Sequence, residues 1–189
     1  LSPPSSIKAE EASIALVFTG AMDYRPNIDA VVWFAHEVLP LIQQQQPKAA
    51  FIIVGSKPTP EVMALAQLPG ITVTGRVEDV RPYLAQATCV VAPLRIARGI
   101  QNKVLEGMAM AKTVVCSPQA LEGIEATPGK EVLLADTPQA FAAACLQAIN
   151  GLDLGAAARQ RVLETYDWDA RLTRIESAIG DSKLAPKAT

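Results

Sequence analysis

The chain has 189 residues, of which 50% are apolar and 19% are charged, so it is long enough to bury a core and too apolar to be intrinsically disordered. Seventeen basic and nineteen acidic residues leave a net charge of −2, which excludes the broad cationic surface that nucleic acid or anionic lipid would require. No apolar run approaches the roughly 18 residues of a membrane span, and the first residues lack the charged-then-apolar pattern of a signal peptide.

Short apolar runs alternate with stretches of helical periodicity along most of the chain. The runs are too continuous for strands with one solvated face and too short for helices, so they predict strands buried on both faces of a parallel sheet. These predicted strands are residues 15–19, 50–54, 71–74, 89–92, 113–117 and 132–135. The predicted helices are residues 27–46, 60–67, 80–86, 101–111, 138–150, 154–165 and 168–179. The alternation predicts an α/β, Rossmann-like open sheet, mostly parallel, with about six strands and helices on both faces.

The two ends differ in composition from the rest. Residues 1–12, with the Ser/Pro-rich LSPPSS start, predict a linker or an artificial chain edge, and polar residues 181–189 predict a frayed tail. Residues 13–180 are predicted to form one domain. Its cysteines, Cys89, Cys116 and Cys145, have no CxxC spacing, so we expect small buried hydrophobes in a reducing cytoplasm.

Ligands of open α/β sheets bind outside the carboxyl ends of the strands, so four loops that follow strands are candidate binding segments. These loops are residues 20–27, 55–57, 75–78 and 93–102, and the first three open with glycine. Glycine lets a ligand approach the backbone closely. The sequence therefore predicts a binding site made by these loops.

The fourth loop, residues 93–102, is the most informative of the four. Arg95, Arg98 and Lys103 surround a predicted helix start near Ile100, where free backbone N–H groups attract anions, so the segment predicts a compact anion site. Asn102 and Glu106 share the side of this helix opposite its apolar face.

Glu106 has the apolar neighbours Leu105, Gly107 and Met108, which predict a poorly solvated carboxylate in need of hydrogen-bond donors. Sugar hydroxyls or Lys103 could supply those donors. The alternative is a surface glutamate paired with Lys103, three residues earlier.

Six segments in order give the chain a family resemblance. KVLEGMAMAKTVVCS at 103–117 resembles the K-x-x-E-A-M-A-x-G-x-P-V-V-x-S of group 1 glycosyltransferases. The others are Gly20 at a strand end, IIVGS at 52–56, VTGRVEDVRPYLAQA at 73–87, EGI-x4-G at 122–129 and ETYDW at 164–168. The chain thus resembles, over nearly its whole length, the C-terminal donor-binding domain of retaining GT-B glycosyltransferases of group 1, also called family four. GAMDYRPNIDAVVWF and PLRIARGIQNKVLE look most like bacterial sugar transferases of exopolysaccharide and PEP-CTERM systems.

The resemblance implies roles around the predicted helix start. Glu106 matches the second glutamate of the family's Glu-x7-Glu motif, which binds the ribose hydroxyls of the donor nucleotide. Arg98 stands where the first glutamate, which faces the transferred sugar, is expected; an arginine there could favour an acidic or differently hydroxylated sugar, or contact phosphate. Gly99 and Ile100 match the amides that meet the diphosphate. Lys103, with Arg98, is expected to stabilise the leaving diphosphate, and Asn102 is assigned to the same donor site.

Two other loops receive roles from the resemblance. Gly20 and the loop of residues 24–27 match the first phosphate loop, with Arg25 as a stand-in for the family's basic residues. Arg76 and Val77 match the loop that contacts the nucleobase.

The implied function is donor binding in a retaining glycosyltransferase that passes a sugar from an NDP-sugar to a saccharide or lipid-linked acceptor. No metal or other cofactor is expected, because the nucleotide sugar is a substrate. The expected partner is an N-terminal acceptor-binding domain of the same protein, through which any peripheral membrane contact would be made; no nucleic acid is expected. We expect a cytoplasmic location, at the inner face of the membrane in the full-length protein, and binding without turnover by this chain alone.

Other interpretations have weaker support. Asp-Trp-Asp at 167–169 spells a metal-binding Asp-x-Asp but sits near a helix start, where capping explains it better. His36 is the sole histidine and lacks a partnered acid or serine, so it is interpreted as a packed or surface residue. Trp33 and Phe34 are interpreted as core residues. Neither G-x-G-x-x-G after the first strand nor a P-loop motif is present. Half of an NDP-sugar 2-epimerase and a non-catalytic nucleotide-binding module remain as alternatives.

Overall fold

A computed structural model describes residues 14–166, so the predicted linker, the Asp-Trp-Asp segment, the last helix and the tail lie outside the described residues. The described part contains one parallel sheet in the order β3-β2-β1-β4-β5-β6. Its strands are β1 (Ile14–Thr19), β2 (Ala49–Val54), β3 (Ile71–Val73), β4 (Cys89–Ala92), β5 (Val114–Cys116) and β6 (Leu133–Leu134). All six predicted strands are confirmed, and every neighbouring pair is parallel.

The helices that follow the strands are assigned in chain order. They are α1 (Arg25–Trp33), α2 (Leu39–Gln43), α3 (Pro60–Ala64), α4 (Arg81–Gln86), α5 (Asn102–Ala109), α6 (Pro118–Leu121), α7 (Pro138–Ile149) and α8 (Gly155–Tyr166). The chain runs from β1 to β2 in one direction along the sheet and from β4 to β5 in the other. Right-handed crossovers therefore place α1 and α5 on opposite faces, as predicted.

The first predicted helix is correct in position but wrong in regularity. It starts two residues earlier than expected, at Arg25, and a π-helical segment, Phe34–Val38, separates α1 from α2. Pro40 explains the irregularity because it has no N–H with which to continue the α-helical ladder. The amide of Leu39, just before it, donates five residues back to the carbonyl of Phe34.

Two shorter elements also differ from the sequence prediction. A 3-10 turn, Leu65–Gln67, closes the helix that begins with α3. The four-residue helix α6 was not predicted, since its sequence is too short to show periodicity. Ser117 starts α6 by accepting a hydrogen bond from the Ala120 amide at 3.1 Å, which is an N-cap.

The core lies on both faces of the sheet, as the continuous apolar runs predict. Phe34 is fully buried and packs on Phe51 with ring centroids 4.5 Å apart, whereas Trp33 is half-buried and meets Phe141 edge-on at 5.9 Å. The three cysteines are free and buried, as expected, and burial raises the pKa of Cys116 to about 12. They act as small apolar side chains of the core.

Candidate functional site

A cleft of about 780 Å³ lies at the carboxyl ends of β1, β2 and β4. It lies where the strand order reverses, because β1 leads to β2 on one side while β4, on its other side, leads to β5. The loops after β1 and β4 diverge at this point and leave a crevice between them. The fold therefore opens a site at the position that the sequence predicts.

One wall of the cleft is made by the loops after β1 and β2, which are joined through their backbones. The Gly20 amide donates to Val54 at 3.0 Å, and the Met22 amide donates to Ser56 at 2.8 Å. A Cβ atom at Gly55 would lie 1.6 Å from the Gly20 carbonyl oxygen, so only glycine fits there. The close approach of these two loops sets the shape of this wall.

The opposite wall is the start of α5. The helix begins at Asn102 rather than near Ile100, because Gly99 has a φ of 70° and Gln101 is extended. The first amide to bond within the helix is that of Val104, which donates to the Gln101 carbonyl at 3.0 Å. The amides of Asn102 and Lys103, the two residues before it, have no acceptor within the helix and so are placed to bind a ligand.

The side chain of Gln101 holds the loop that leads into α5. Its Nε2 donates to the carbonyl of Gly99 at 3.0 Å and to that of Arg98 at 3.3 Å. These bonds tie the loop to the helix start and keep Arg98 on the cleft wall.

Three cations line the cleft without an ion-pair partner within 4 Å among residues 14–166. They are Arg76, Arg98 and Lys103. Lys57 also lines the cleft, but its ammonium pairs with Asp23 at 3.2 Å. The unpaired charges make the cleft locally attractive to anions on a chain whose net charge is negative.

Arg95 was predicted to join this anion site, and that prediction is wrong. Its guanidinium binds the carboxylate of Asp29, with Nε 3.0 Å from Oδ2, and lies 5.8 Å from the centre of the Trp33 ring. Arg95 does not line the cleft. The fold brings Asp29 beside it from 66 residues away, a contact that sequence spacing does not reveal.

Of the three unpaired cations, Arg76, Arg98 and Lys103, the side chain of Lys103 is the least exposed to solvent. Burial lowers the pKa of its ammonium, and the nearby charge of Glu106 partly opposes that shift. The Nζ atom lies 5.3 Å from the centre of the buried Phe18 ring, within the range of a cation–π contact.

Glu106 is an exposed side chain, so the prediction of a poorly solvated carboxylate is wrong. The apolar neighbours in sequence do not surround it, because Val104 and Met108 turn toward the sheet and are buried while Glu106 faces the open cleft. Its Oε2 accepts a hydrogen bond from the Thr19 hydroxyl at 3.4 Å. Within residues 14–166 it forms no ion pair with Lys103, so its carboxylate retains capacity to accept further hydrogen bonds.

The cleft brings together eight of the ten residues that the sequence assigns to donor binding. They are Gly20, Arg76, Val77, Arg98, Ile100, Asn102, Lys103 and Glu106. Arg25 and Gly99 do not line it, and Arg25 is exposed outside it.

Several cleft residues were not assigned from the sequence. Thr19, Ser56 and Gln101 line it without an assigned role, whereas Tyr24 and Asn27 were assigned only as parts of the loop of residues 24–27. The signal for Ser56 and Gln101 was present, since each lies in one of the four loops at strand ends that the sequence singles out. Their contacts depend on how neighbouring strands place these loops against one another.

The described part of the chain contains neither a candidate metal site nor a candidate membrane span. No group of three or more His, Cys, Asp or Glu side chains within residues 14–166 is arranged to hold a metal ion. Over the same residues, no helix is both long enough and apolar enough to cross a membrane.

The strand order and the cationic cleft at its reversal define a Rossmann-type domain of the kind that binds nucleotides. Residues 13–151 match the family described as glycosyl transferases, group 1, and the chain belongs to that family. The sequence resemblance is confirmed at this level. No curated protein matches the chain significantly.

Solved structures share the fold at low sequence identity. A TarM variant from S. aureus, in complex with fondaparinux, alpha-GlcNAc-glycerol and UDP, is 16% identical over 94% of this chain, with a TM-score of 0.70. Anabaena HepE, in complex with UDP and glucose, is 13% identical over 92%, with a TM-score of 0.71. This chain spans 37% and 49% of the lengths of those two proteins.

The C-terminal domain of a group 1 glycosyl transferase protein (LpcC) from Francisella tularensis is similar in extent. It is 14% identical over 82% of this chain, with a TM-score of 0.66, and 87% of that domain is covered. This chain therefore shares the fold of one part of those longer proteins.

Proposed function

We propose that this chain is the donor-binding half of a retaining glycosyltransferase, which transfers a sugar from a nucleoside diphosphate sugar to a saccharide or lipid-linked acceptor. The observation that carries the proposal is the cleft at the strand-order reversal, where Arg76, Arg98 and Lys103 are unpaired within residues 14–166 beside the open start of α5. Family membership supports the transferase class, and UDP in the complexes of TarM and HepE supports a nucleotide as ligand.

The diphosphate fits the wall made by α5. The amides of Asn102 and Lys103, which have no acceptor within α5, the positive end of the helix and the Arg98 guanidinium together supply donors and charge for a dianion. Gly99, two residues before the N-cap of α5, is proposed to admit the diphosphate close to the backbone. A Cβ atom there would have nothing within 4 Å, so space is open beside it.

The nucleoside is proposed to lie between the loop that follows β3 and the body of α5. Glu106 is one turn beyond the helix start and has acceptor capacity for two vicinal ribose hydroxyls. Arg76 and Val77 line the same cleft and would contact the base.

Group transfer from such a donor develops negative charge on the leaving diphosphate. Helix amides and cations that are already in place stabilise that charge without reorganising, which lowers the barrier to bond cleavage. Arg98 and Lys103 are the side chains proposed to do this, and no metal ion is invoked. The acceptor domain is proposed to be another part of the same protein, and we propose a cytoplasmic location for the whole enzyme.

Isothermal titration of the 189-residue chain with UDP, GDP, their sugar conjugates and inorganic pyrophosphate tests the proposal. We expect either UDP or GDP to bind, together with its sugar conjugate. Glu106→Ala should weaken nucleoside diphosphate binding about tenfold while changing pyrophosphate binding less than twofold. Lack of binding by both nucleotides and all the conjugates would refute a donor site. Equal losses for nucleotide and pyrophosphate would show that Glu106 does not hold the ribose.

A further inference from the structure

Thr19, the last residue of β1, contacts the carboxylate that is proposed to hold the ribose. Thr19 is 4% exposed, and its Oγ1 donates to Oε2 of Glu106 at 3.4 Å. Within residues 14–166 this is the one hydrogen bond of the Thr19 hydroxyl. Because a buried hydroxyl needs an acceptor, the pair ties the end of β1 to a residue of α5 that is 87 positions away in the chain.

This contact lies beside the other proposed binding group of α5. Phe18, the preceding residue of β1, contacts Lys103, whose Nζ is 5.3 Å from the ring centre. Glu106 follows Lys103 by about one turn of α5. Two consecutive residues at the carboxyl end of β1 therefore contact the cation and the carboxylate of α5, at the strand-order reversal where the cleft opens.

The Thr19 hydroxyl restricts the orientation of an exposed carboxylate. The last torsion of a glutamate side chain has no sharp preference, so the Glu106 carboxylate would rotate broadly without a neighbour to hold it. Thr19 occupies one of its roughly four acceptor sites, which leaves both oxygens able to accept from a ligand. The 3.4 Å separation is long for an O–H···O bond, and we expect it to shorten when a ligand holds the carboxylate.

We infer that Thr19 is a positioning residue, through which the cleft selects ribonucleoside diphosphates over their 2′-deoxy counterparts. Its hydroxyl holds the Glu106 carboxylate in the orientation that accepts from the 2′ and 3′ hydroxyls of a ribose together. A 2′-deoxyribose has only one of these hydroxyls, and a single hydroxyl can follow a rotating carboxylate, so it gains little from the fixed orientation. The inference rests on the proposed function and narrows it to donors with an intact ribose, such as sugars of UDP or GDP, in preference to those of dTDP.

Isothermal titration of the 189-residue chain with UDP and 2′-deoxy-UDP, and with GDP and 2′-deoxy-GDP, tests the inference. The chain should bind its preferred ribonucleotide about tenfold more tightly than the matching deoxyribonucleotide. Thr19→Val keeps the shape without the hydroxyl, so it should weaken the ribonucleotide about fourfold and the deoxyribonucleotide less than twofold. Thr19→Ser restores a hydroxyl and should recover the preference. Thr19→Ala, which also lacks the hydroxyl, takes the place of Thr19→Val if that variant does not fold.

Two controls separate positioning from a general effect on the fold. Thr113 is also buried, at 3% exposure, and its hydroxyl contacts Leu152 and Leu154 outside the cleft, so Thr113→Val should lower the Tm and leave the ratio of the two affinities unchanged. In Glu106→Ala no carboxylate remains to be held, so adding Thr19→Val should change the ribonucleotide affinity less than twofold. Equal losses of both nucleotides in Thr19→Val, its full effect in the Glu106→Ala background, or wild-type binding without a preference would each overturn the inference. Binding of no nucleotide at all would instead refute the proposed function.

Discussion

The basic side chains near the cleft differ mainly in whether a neighbouring carboxylate neutralises their charge. Arg95 is paired with Asp29 and Lys57 with Asp23, while Arg98 reaches the cleft with no ion-pair partner within residues 14–166. An unpaired guanidinium in a concave site offers a strong charge-assisted contact to an anionic ligand. The cations near the site are therefore not equivalent.

Arg98 and Arg25 provide a matched pair for testing this difference. Arg98→Ala should weaken UDP or GDP binding, whichever the chain prefers, about tenfold, because it removes a charged donor from the cleft. Arg25→Ala should change the affinity less than twofold, since Arg25 lies outside the cleft lining. Both are measured by titration at one fixed salt concentration. Comparable losses of affinity in the two variants would show that Arg25 also belongs to the binding site.

Lys103 should make nucleotide affinity depend on alkaline pH. Burial lowers the pKa of Lys103 in the free protein, so its positive charge is present below that pKa and is lost as the pH rises through it. The affinity for the nucleoside diphosphate should therefore begin to fall at a lower pH than an ordinary lysine would produce. Lys103→Arg, which stays charged, should bind with a flat profile over the same range. A wild-type profile as flat as that of the variant would contradict the role of Lys103.

At the level of elements, the site depends on how closely adjacent loops approach. The loops after β1 and β2 are joined by two backbone hydrogen bonds, and Gly55 provides the contact surface between them. Glycine at this position is needed for space, since a side chain would overlap the Gly20 carbonyl oxygen. The shape of the β1 wall is therefore a property of two strands together.

Gly55→Ala should destabilise the domain by about 3 kcal/mol or more, because the new Cβ meets backbone atoms that cannot rotate away. Chemical denaturation followed by circular dichroism measures the loss. Ser56→Ala, at the next residue, keeps the backbone amide and carbonyl and should change stability by less than about 0.5 kcal/mol. A small effect of Gly55→Ala, similar to that of Ser56→Ala, would show that the two loops can separate freely.

At the scale of the whole molecule, the cleft is lined by separate segments between Thr19 and Glu106, so ligand binding should stabilise the packing of these segments together. A saturating diphosphate at 100 times its Kd adds about 2.7 kcal/mol, which corresponds to a rise in Tm of roughly 5–10 °C for a domain of this size. Differential scanning calorimetry measures the shift. The Arg98→Ala variant at the same ligand concentration should show a smaller one. Equal shifts in both would place the nucleotide elsewhere.

The strands were predictable because each is a short apolar run that must be buried on both faces, a property that the local sequence contains. The same is true of the cleft's general position, since parallel strands bring their carboxyl ends to one edge of the sheet. The interrupted first helix was only partly predictable. Its periodicity is continuous, and the π-helical segment before Pro40 depends on which carbonyl the Leu39 amide can reach.

Length, composition and charge established that the chain has one well-filled core and that any anion recognition is local, and residue patterns added the order of strands and helices. Only the tertiary structure decided which charged and polar side chains are paired and which are exposed. Asp29 neutralises Arg95, and Glu106 is exposed despite its apolar sequence neighbours. Within residues 14–166, the Oδ1 atom of Asn27 is buried without a hydrogen-bond partner. The physical reason is that burial of apolar runs follows from local sequence, whereas the partner of a polar group comes from distant segments that only the packed sheet brings together.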